Sequence, residues 1–185
     1  MPATNSVKTA LSLINEDASK ILGLRIGKRA DVQPGEFISK ADTQAVPELT
    51  CASLSPDKSY IVICVDLDAP FPSFPVLGPI LHWIQPGLKA APIDGGRGDR
   101  FRLEAAADEP FIANWAPPGP PSVSGPHRYV FLLHEQPDGF DGGKGLAPPG
   151  GKEMGLGARV RFDVDKWVRE SNLGPAVAVN YFSSK

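Results

Sequence analysis

Two short stretches of this chain concentrate side chains able to hold an anion or move a proton. In the first, Asp66-Leu67-Asp68-Ala69-Pro70 follows the apolar run Ile61-Val62-Ile63-Cys64-Val65 and precedes His82-Trp83. Acids directly after such a run emerge at the rim of a core, where a carboxylate accepts backbone hydrogen bonds or fixes a histidine's orientation. Taken alone the motif also reads as a strand-end turn, because Asp and Pro are ordinary turn residues. In the second, the proline loop Gly119-Pro120-Pro121-Ser122-Val123-Ser124-Gly125-Pro126 delivers His127-Arg128-Tyr129 to the start of another apolar run. His127 and Tyr129 are two apart, so on a strand they share a face and set an imidazole beside a phenol, two hydrogen-bond donors. Arg128 points the other way and reads as a structural ion-pair partner. His127 by itself would read as a satisfied core histidine; the stiff loop and the matching tyrosine point to a binding site.

Other chemistry is poorly supported. Gly142-Gly143-Lys144-Gly145 and Gly150-Gly151-Lys152 lack the glycine spacing and flanking strand and helix of a phosphate loop. The three histidines have no metal-ligand spacing, and His134 should face away from His127, so no metal or other cofactor is expected. No G-x-S-x-G element occurs, and no serine adjoins a convincing base.

The frame that positions these residues reads as mainly β. Twenty prolines and 19 glycines among 185 residues are too many for a helical bundle and belong in turns between short strands. A net charge of −2, with no Lys/Arg run longer than Lys28-Arg29, argues against a nucleic-acid partner. No apolar stretch approaches the roughly 20 residues of a membrane span, and no signal peptide precedes the first periodic segment. With Cys51 and Cys64 read as free thiols, a cytoplasmic protein without integral membrane association is expected. One domain should span 1–185, beginning with a helix over 1–23, its apolar face Val7, Leu11, Ile14, Ala18, Ile21 and Leu22, its cap Asn5 or Ser6, and its stop Gly23. Strands are expected at 24–26, 36–39, 60–67, 80–84, 101–103, 111–113, 128–135 and from Val177 to Phe182, with loops at 85–100, including the turn Asp94-Gly95-Gly96, and at 115–126. Asp163 should cap a second helix over 164–171. The glycine-rich segment 139–157 should be the most mobile. The apolar stretch 71–79 reads first as core packing and second as a greasy rim around a pocket.

The two stretches resemble the signature regions of the phosphatidylethanolamine-binding protein family, which includes Raf kinase inhibitor proteins and carboxypeptidase Y inhibitors. Asp66-Leu67-Asp68-Ala69-Pro70 with His82-Trp83 is similar to the first motif. Trp115 to Gln136, WAPPGPPSVSGPHRYVFLLHEQ, is similar to the second without a gap, and weaker likeness runs over 24–47 and 162–182. The resemblance, strongest to fungal members, implies a Greek-key β-sandwich with peripheral helices. It also implies a ligand-binding pocket formed by Asp66, Asp68, Pro70 and His82 with Gly119, Pro120, Pro121, His127 and Tyr129. Such pockets take a phosphate-like head group or another small anion, with Asp66 orienting a histidine rather than touching the anion. Anion affinity should then rise as pH falls through about 6 to 7. Leu67, Trp115, Pro117 and Val123 depart from the family pattern, and Val123 stands where a left-handed glycine would imply a rebuilt loop.

The leading expectation is a small-anion-binding protein that modulates a protease or kinase. The alternative is an enzyme or accessory protein of fungal secondary-metabolite (polyketide, maleic anhydride) biosynthesis. There the same pocket would take a carboxylate or anhydride, with His82 or His127 as base, Tyr129 as oxyanion donor and Asp66 in support.

Overall fold

A computed structural model describes residues 4–93, 100–141, 146–148 and 152–185. The fold is mainly β. Its strands are β1 (Gly23–Arg25), β2 (Glu36–Ile38), β3 (Glu48–Ala52), β4 (Ser59–Asp66), β5 (Ile80–Pro92), β6 (Arg100–Glu104), β7 (His127–Glu135) and β8 (Ala176–Ser184). Three helices accompany them: α1 (Asn5–Glu16), α2 (Leu156–Arg159) and α3 (Val164–Glu170). The strands form one eight-stranded sheet in the order β1-β3-β6-β5-β4-β7-β8-β2, antiparallel except for the edge pair β2–β8.

β4 and β7 lie side by side at its centre and are apolar on both faces, as strands covered on both sides must be. One face packs Tyr60, Val62, Cys64, Tyr129, Phe131 and Phe182. Leu24 of β1 and Ile38 of β2, from opposite edges of the sheet, join that same core, so the sheet curls until its ends meet. Asn180, fully buried on β8, ties the closure by donating Nδ2 to the carbonyls of Leu22 (2.7 Å) and Val32 (2.9 Å). The other face packs Ile61, Ile63, Val130 and Leu132 beneath α1 and α3.

Several elements differ from the sequence reading. α1 stops at Glu16, where Asp17 accepts from Ser19 N–H and starts a separate 3-10 turn at Ala18–Lys20; Gly23 begins β1 rather than ending a helix. Neither Asn5 nor Ser6 caps α1; instead Asp165 of α3 accepts both of their backbone N–H groups, at 3.0 and 2.7 Å. Asp163 does cap α3, accepting from Lys166 N–H at 2.9 Å. β3 was not anticipated, and β5 runs eight residues beyond Ile84, through Pro86 and Gly87. The ladder skips at that point, Val62 facing Gln85 and Tyr60 facing Leu88, so a bulge absorbs the proline and glycine. Gly87 has φ +69° and donates its N–H to Gln136 Oε1, 2.7 Å away. Of the stretch 111–113, Ala113 forms an isolated bridge to Ile84 rather than part of a strand.

The turn Asp94-Gly95-Gly96 and the stretches 142–145 and 149–151, with most of the two discarded phosphate-loop candidates, lie outside the described residues.

Candidate functional site

The chemistry-bearing residues meet at one end of the central strands. Asp66 closes β4, in register with Ile80 of β5 on one side and Tyr129 of β7 on the other. His127 opens β7 on the face that carries Tyr129 and Phe131. His82 is placed by a second bulge: Cys64 faces Trp83 while Val65 faces Leu81, leaving His82 as the extra residue. A bulge re-aims a side chain, and here the imidazole swings against Tyr129 (5.0 Å between centroids, edge-on) and Trp115 (6.3 Å).

A cavity of about 350 Å³ opens at this end. Asp66, His82 and His127 reach it, and Pro70, Gly119, Pro120 and Pro121 wall it along with Ala69, Leu77, Ile80, Ala116 and Pro117. Two residues of the expected site are not in its wall. Asp68 is buried behind it, with Oδ2 accepting from Arg128 N–H and Nε–H (2.9 and 2.8 Å) and Oδ1 accepting from Arg128 Nη2 (2.8 Å). Tyr129 lies fully buried beneath, stacked on Phe182 at 5.2 Å, and its hydroxyl has no well-formed hydrogen bond. Burial, aided by Asp66 and Cys64, pushes that phenol far above its ordinary range; the nearby Gly119 amide offsets this only in part. A Cβ at Gly119 would meet nothing closer than Pro117 O at 4.0 Å, so this glycine leaves room rather than relieving a clash. Val123 is absent from the positive-φ residues of the described chain and is 82% exposed, so the loop has no left-handed position there to strain.

His127 is held at both nitrogens. Nδ1–H donates to Asp66 Oδ2 at 2.8 Å, and Nε2 lies 2.9 Å from Ser124 Oγ and 3.2 Å from Pro70 O. The expectation that no serine adjoins a base therefore fails: the loop folds Ser124 back onto the histidine three residues later. Asp66, His127 and Ser124 are in line like a hydrolase triad, but the electrostatics differ. Burial disfavours the His127 cation, yet the hydrogen bond and charge of Asp66, with Pro70 O and Asp68, outweigh it and raise the pKa above the ordinary value. Pro70 O can only accept, so Nε2 carries a proton and is no base for Ser124. The group is an oriented imidazolium.

His82 is its opposite. Its Nδ1–H donates to Ala116 O at 2.5 Å, and burial lowers its pKa against the weaker pull of that carbonyl and of Asp66. At neutral pH it is uncharged, with Nε2 as a lone pair. The two histidines therefore titrate on opposite sides of the ordinary imidazole value of about 6.5, not together.

The sequence reading missed Arg159, which ends α2, lies buried and lines the cavity. Nε donates to Met154 O, Nη1 to the carbonyls of Leu81 and His82, and Nη2 to Asn114 O and Oδ1, at 2.5 to 3.2 Å. All five N–H groups are used on neutral oxygens, two of them the carbonyls of Leu81 and His82 at the bulge. Ala116 N–H also donates to His82 O, at 2.8 Å. The guanidinium thus fixes the bulge and brings a cation with no carboxylate bonded to it. With Asp66 and His127 cancelling and His82 neutral, these cavity groups sum to +1.

A larger hollow of about 560 Å³ lies beside α3. Lys166 and Glu170 on its wall are solvent-exposed and pair loosely at 3.9 Å, whereas the smaller cavity gathers buried ionisable groups. Among the described residues no cluster of three or more His, Cys, Asp or Glu side chains is suited to a metal, and no helix is long and apolar enough to cross a membrane.

The protein is thus a curled β sheet with two proline-walled histidine motifs at one end of its central strands. The chain belongs to the phosphatidylethanolamine-binding protein family, whose model matches residues 28–182. It is 30% identical over 175 residues to phomoidride biosynthesis cluster protein N of Talaromyces stipitatus, covering 87% of this chain and 82% of that protein. It is also 30% identical over 149 residues to the carboxypeptidase Y inhibitor of Saccharomyces cerevisiae, covering 78% and 67%. Among solved structures, carboxypeptidase Y inhibitor complexed with its cognate proteinase superposes with a TM-score of 0.71 at 23% identity, over 98% of this chain and 93% of that one. The Plasmodium vivax phosphatidylethanolamine-binding protein gives 0.66 at 18% identity, over 100% and 97%.

Proposed function

We propose that this protein binds a small anionic group, a phosphate or carboxylate, in the cavity between Asp66, His82, His127 and Arg159. The observation that carries this reading is the cavity's unbalanced charge. Arg159 is buried without a bonded counter-ion, and Asp66 is occupied with His127 rather than turned on the ligand. A monoanion inside would neutralise the site, whereas a cation would add to an uncompensated buried charge.

The test is an NMR titration of the His82 and His127 ring protons with phosphorylethanolamine and, separately, with a dicarboxylate. Saturable shifts lost in His127→Ala support the reading; no saturable shift with either probe ends it. The carboxypeptidase Y inhibitor relative supports a protease as the macromolecular partner. Inhibition lost on changing surface residues, with the pocket titration intact, would mark that contact.

A second reading, an accessory or catalyst of fungal secondary-metabolite assembly, is favoured by His82 and by the biosynthesis-cluster relative. A neutral imidazole beside a cationic site is suited to taking a proton from carbon next to a carboxylate. Solvent deuterium entering such a carbon, and ceasing in His82→Gln, would favour it over binding alone.

A further inference from the structure

The loop 71–79 is not core, contrary to the first expectation. Seven large apolar side chains are exposed among the described residues, and five of them, Phe71, Phe74, Val76, Val123 and Leu156, lie on the three segments that border the cavity. Their exposure is built in. Phe74 N–H donates to Phe71 O at 2.8 Å, Leu77 and Gly78 both donate to Ala69 O at 3.1 Å, and Arg161 Nε donates to Val76 O at 3.1 Å. A loop pinned this way cannot fold its aromatic rings inward, so an apolar collar surrounds a cationic floor.

We propose that this collar is a subsite for the hydrocarbon chain of the ligand, and that the ligand is a single-chain amphiphile with one anionic head, taken up as a free molecule. The proposal rests on the anion reading above and adds the chain. Its chemistry follows from the juxtaposition: exposed apolar side chains clustered around a cavity mark a binding site, and these border one whose charged lining groups sum to +1. A bilayer fits less well, because docking on anionic lipid uses several basic residues. The segments 69–79 and 116–126 carry none, and on 152–161 Arg159 is buried, leaving only Lys152 and Arg161.

Calorimetric titration with straight-chain carboxylates from acetate to octanoate, all below their micelle concentrations, tests this, with inorganic phosphate as a head-only probe. Complete burial of a methylene is worth about fourfold in affinity, and half burial on an open collar about twofold. From butanoate to octanoate the wild type should therefore gain roughly 16-fold, four half-buried methylenes in all. The double variant Phe74→Ser, Val123→Ser changes two well-exposed side chains outside the cavity wall. It should flatten that slope and leave acetate and phosphate affinity unchanged.

Head probes that bind with no chain-length slope would overturn the collar and leave the anion site standing. Saturable binding to phosphatidylserine vesicles without such a slope would replace the free amphiphile with a membrane surface. If neither phosphate nor any carboxylate binds, the anion reading itself has failed and the collar falls with it.

Discussion

Replacing Asp66 by asparagine should remove both the carboxylate and the imidazolium charge from the cavity at pH 7, leaving the +1 of Arg159, and the geometry says how. Asp66 uses both oxygens as acceptors: Oδ1 takes Asp68 N–H at 2.7 Å and Oδ2 takes His127 Nδ1–H at 2.8 Å. Asparagine has one acceptor and one donor in the same space. If its oxygen stays with Asp68, its NH₂ faces Nδ1, and that contact is favourable only when Nδ1 is a lone pair. The ring then keeps its proton on Nε2, facing Pro70 O and Ser124, and becomes neutral. Loss of an opposite charge at this distance lowers a pKa by roughly 1 to 3 units. Without that pull, burial is the largest influence on the ring and should leave it mostly uncharged at pH 7. Two assays read this. Histidine ¹⁵N shifts should report the Nε2–H tautomer at neutral pH and a lowered midpoint. Because the sum stays at +1, anion affinity should change by less than about threefold at pH 7 and should rise roughly 10-fold by pH 5, where the ring is protonated, no carboxylate opposes the ligand and the sum is +2. A variant no tighter at pH 5 than at pH 7, or a His127 midpoint unchanged from wild type, would refute the reasoning.

Removing Arg159 should be costly, because its five N–H groups tie Met154, Asn114 and the His82 bulge to one another; Arg159→Met should lose about 3 kcal/mol in urea unfolding, and Arg159→Lys should not restore it, since three donors cannot replace a five-donor fork. Asp68 is buried against Arg128, and its folded pKa is lowered because the hydrogen bonds and charge of Arg128 exceed the opposing burial cost. Its stabilisation is therefore complete above the unfolded value of about 3.9 and is lost as pH falls through the lower folded value; Asp68→Asn should remove that part of the acid-side slope in a pH series of denaturation midpoints. Phe182, fully buried between Tyr129 (5.2 Å) and Phe131 (5.9 Å), should cost about 3 to 5 kcal/mol as alanine, measured by thermal unfolding. Cys51, pushed up to about 11 by burial, and Cys64, also raised well above the ordinary thiol range by burial, should resist a thiol reagent in the native state and react once the chain is unfolded.

What could be read from residues alone tracks how locally each feature is encoded. β4 and β7 were legible because strands buried on both faces leave unbroken runs of β-branched and aromatic residues. The reach of β5 was not, because Pro86-Gly87 is ordinary turn chemistry and only a partner strand turns it into a bulge. The pairing of Asp66 with His127 follows two motifs that lie near each other only in three dimensions. Arg159 sits in a glycine-rich stretch with no apolar periodicity. Its importance lies in five carbonyl oxygens, four of them backbone, and backbone acceptors leave no trace in a sequence. Ser124 was dismissed for the same reason: its meeting with His127 depends on a loop path that residue types do not specify.

The last strand has a consequence for how the molecule is made. β8 lies between β7 and β2, and its Asn180 fastens the segments around Leu22 and Val32. β2, which is synthesised long before β8, therefore has no strand partner until residues 176–184 have also emerged, and α1 lacks much of its docking surface until then. These contacts span well over a hundred residues of sequence, and such long-range closure is slow. During synthesis β2 must wait unpaired, and a nascent chain halted before β8 would expose the strand edges through which partly made β proteins associate with one another.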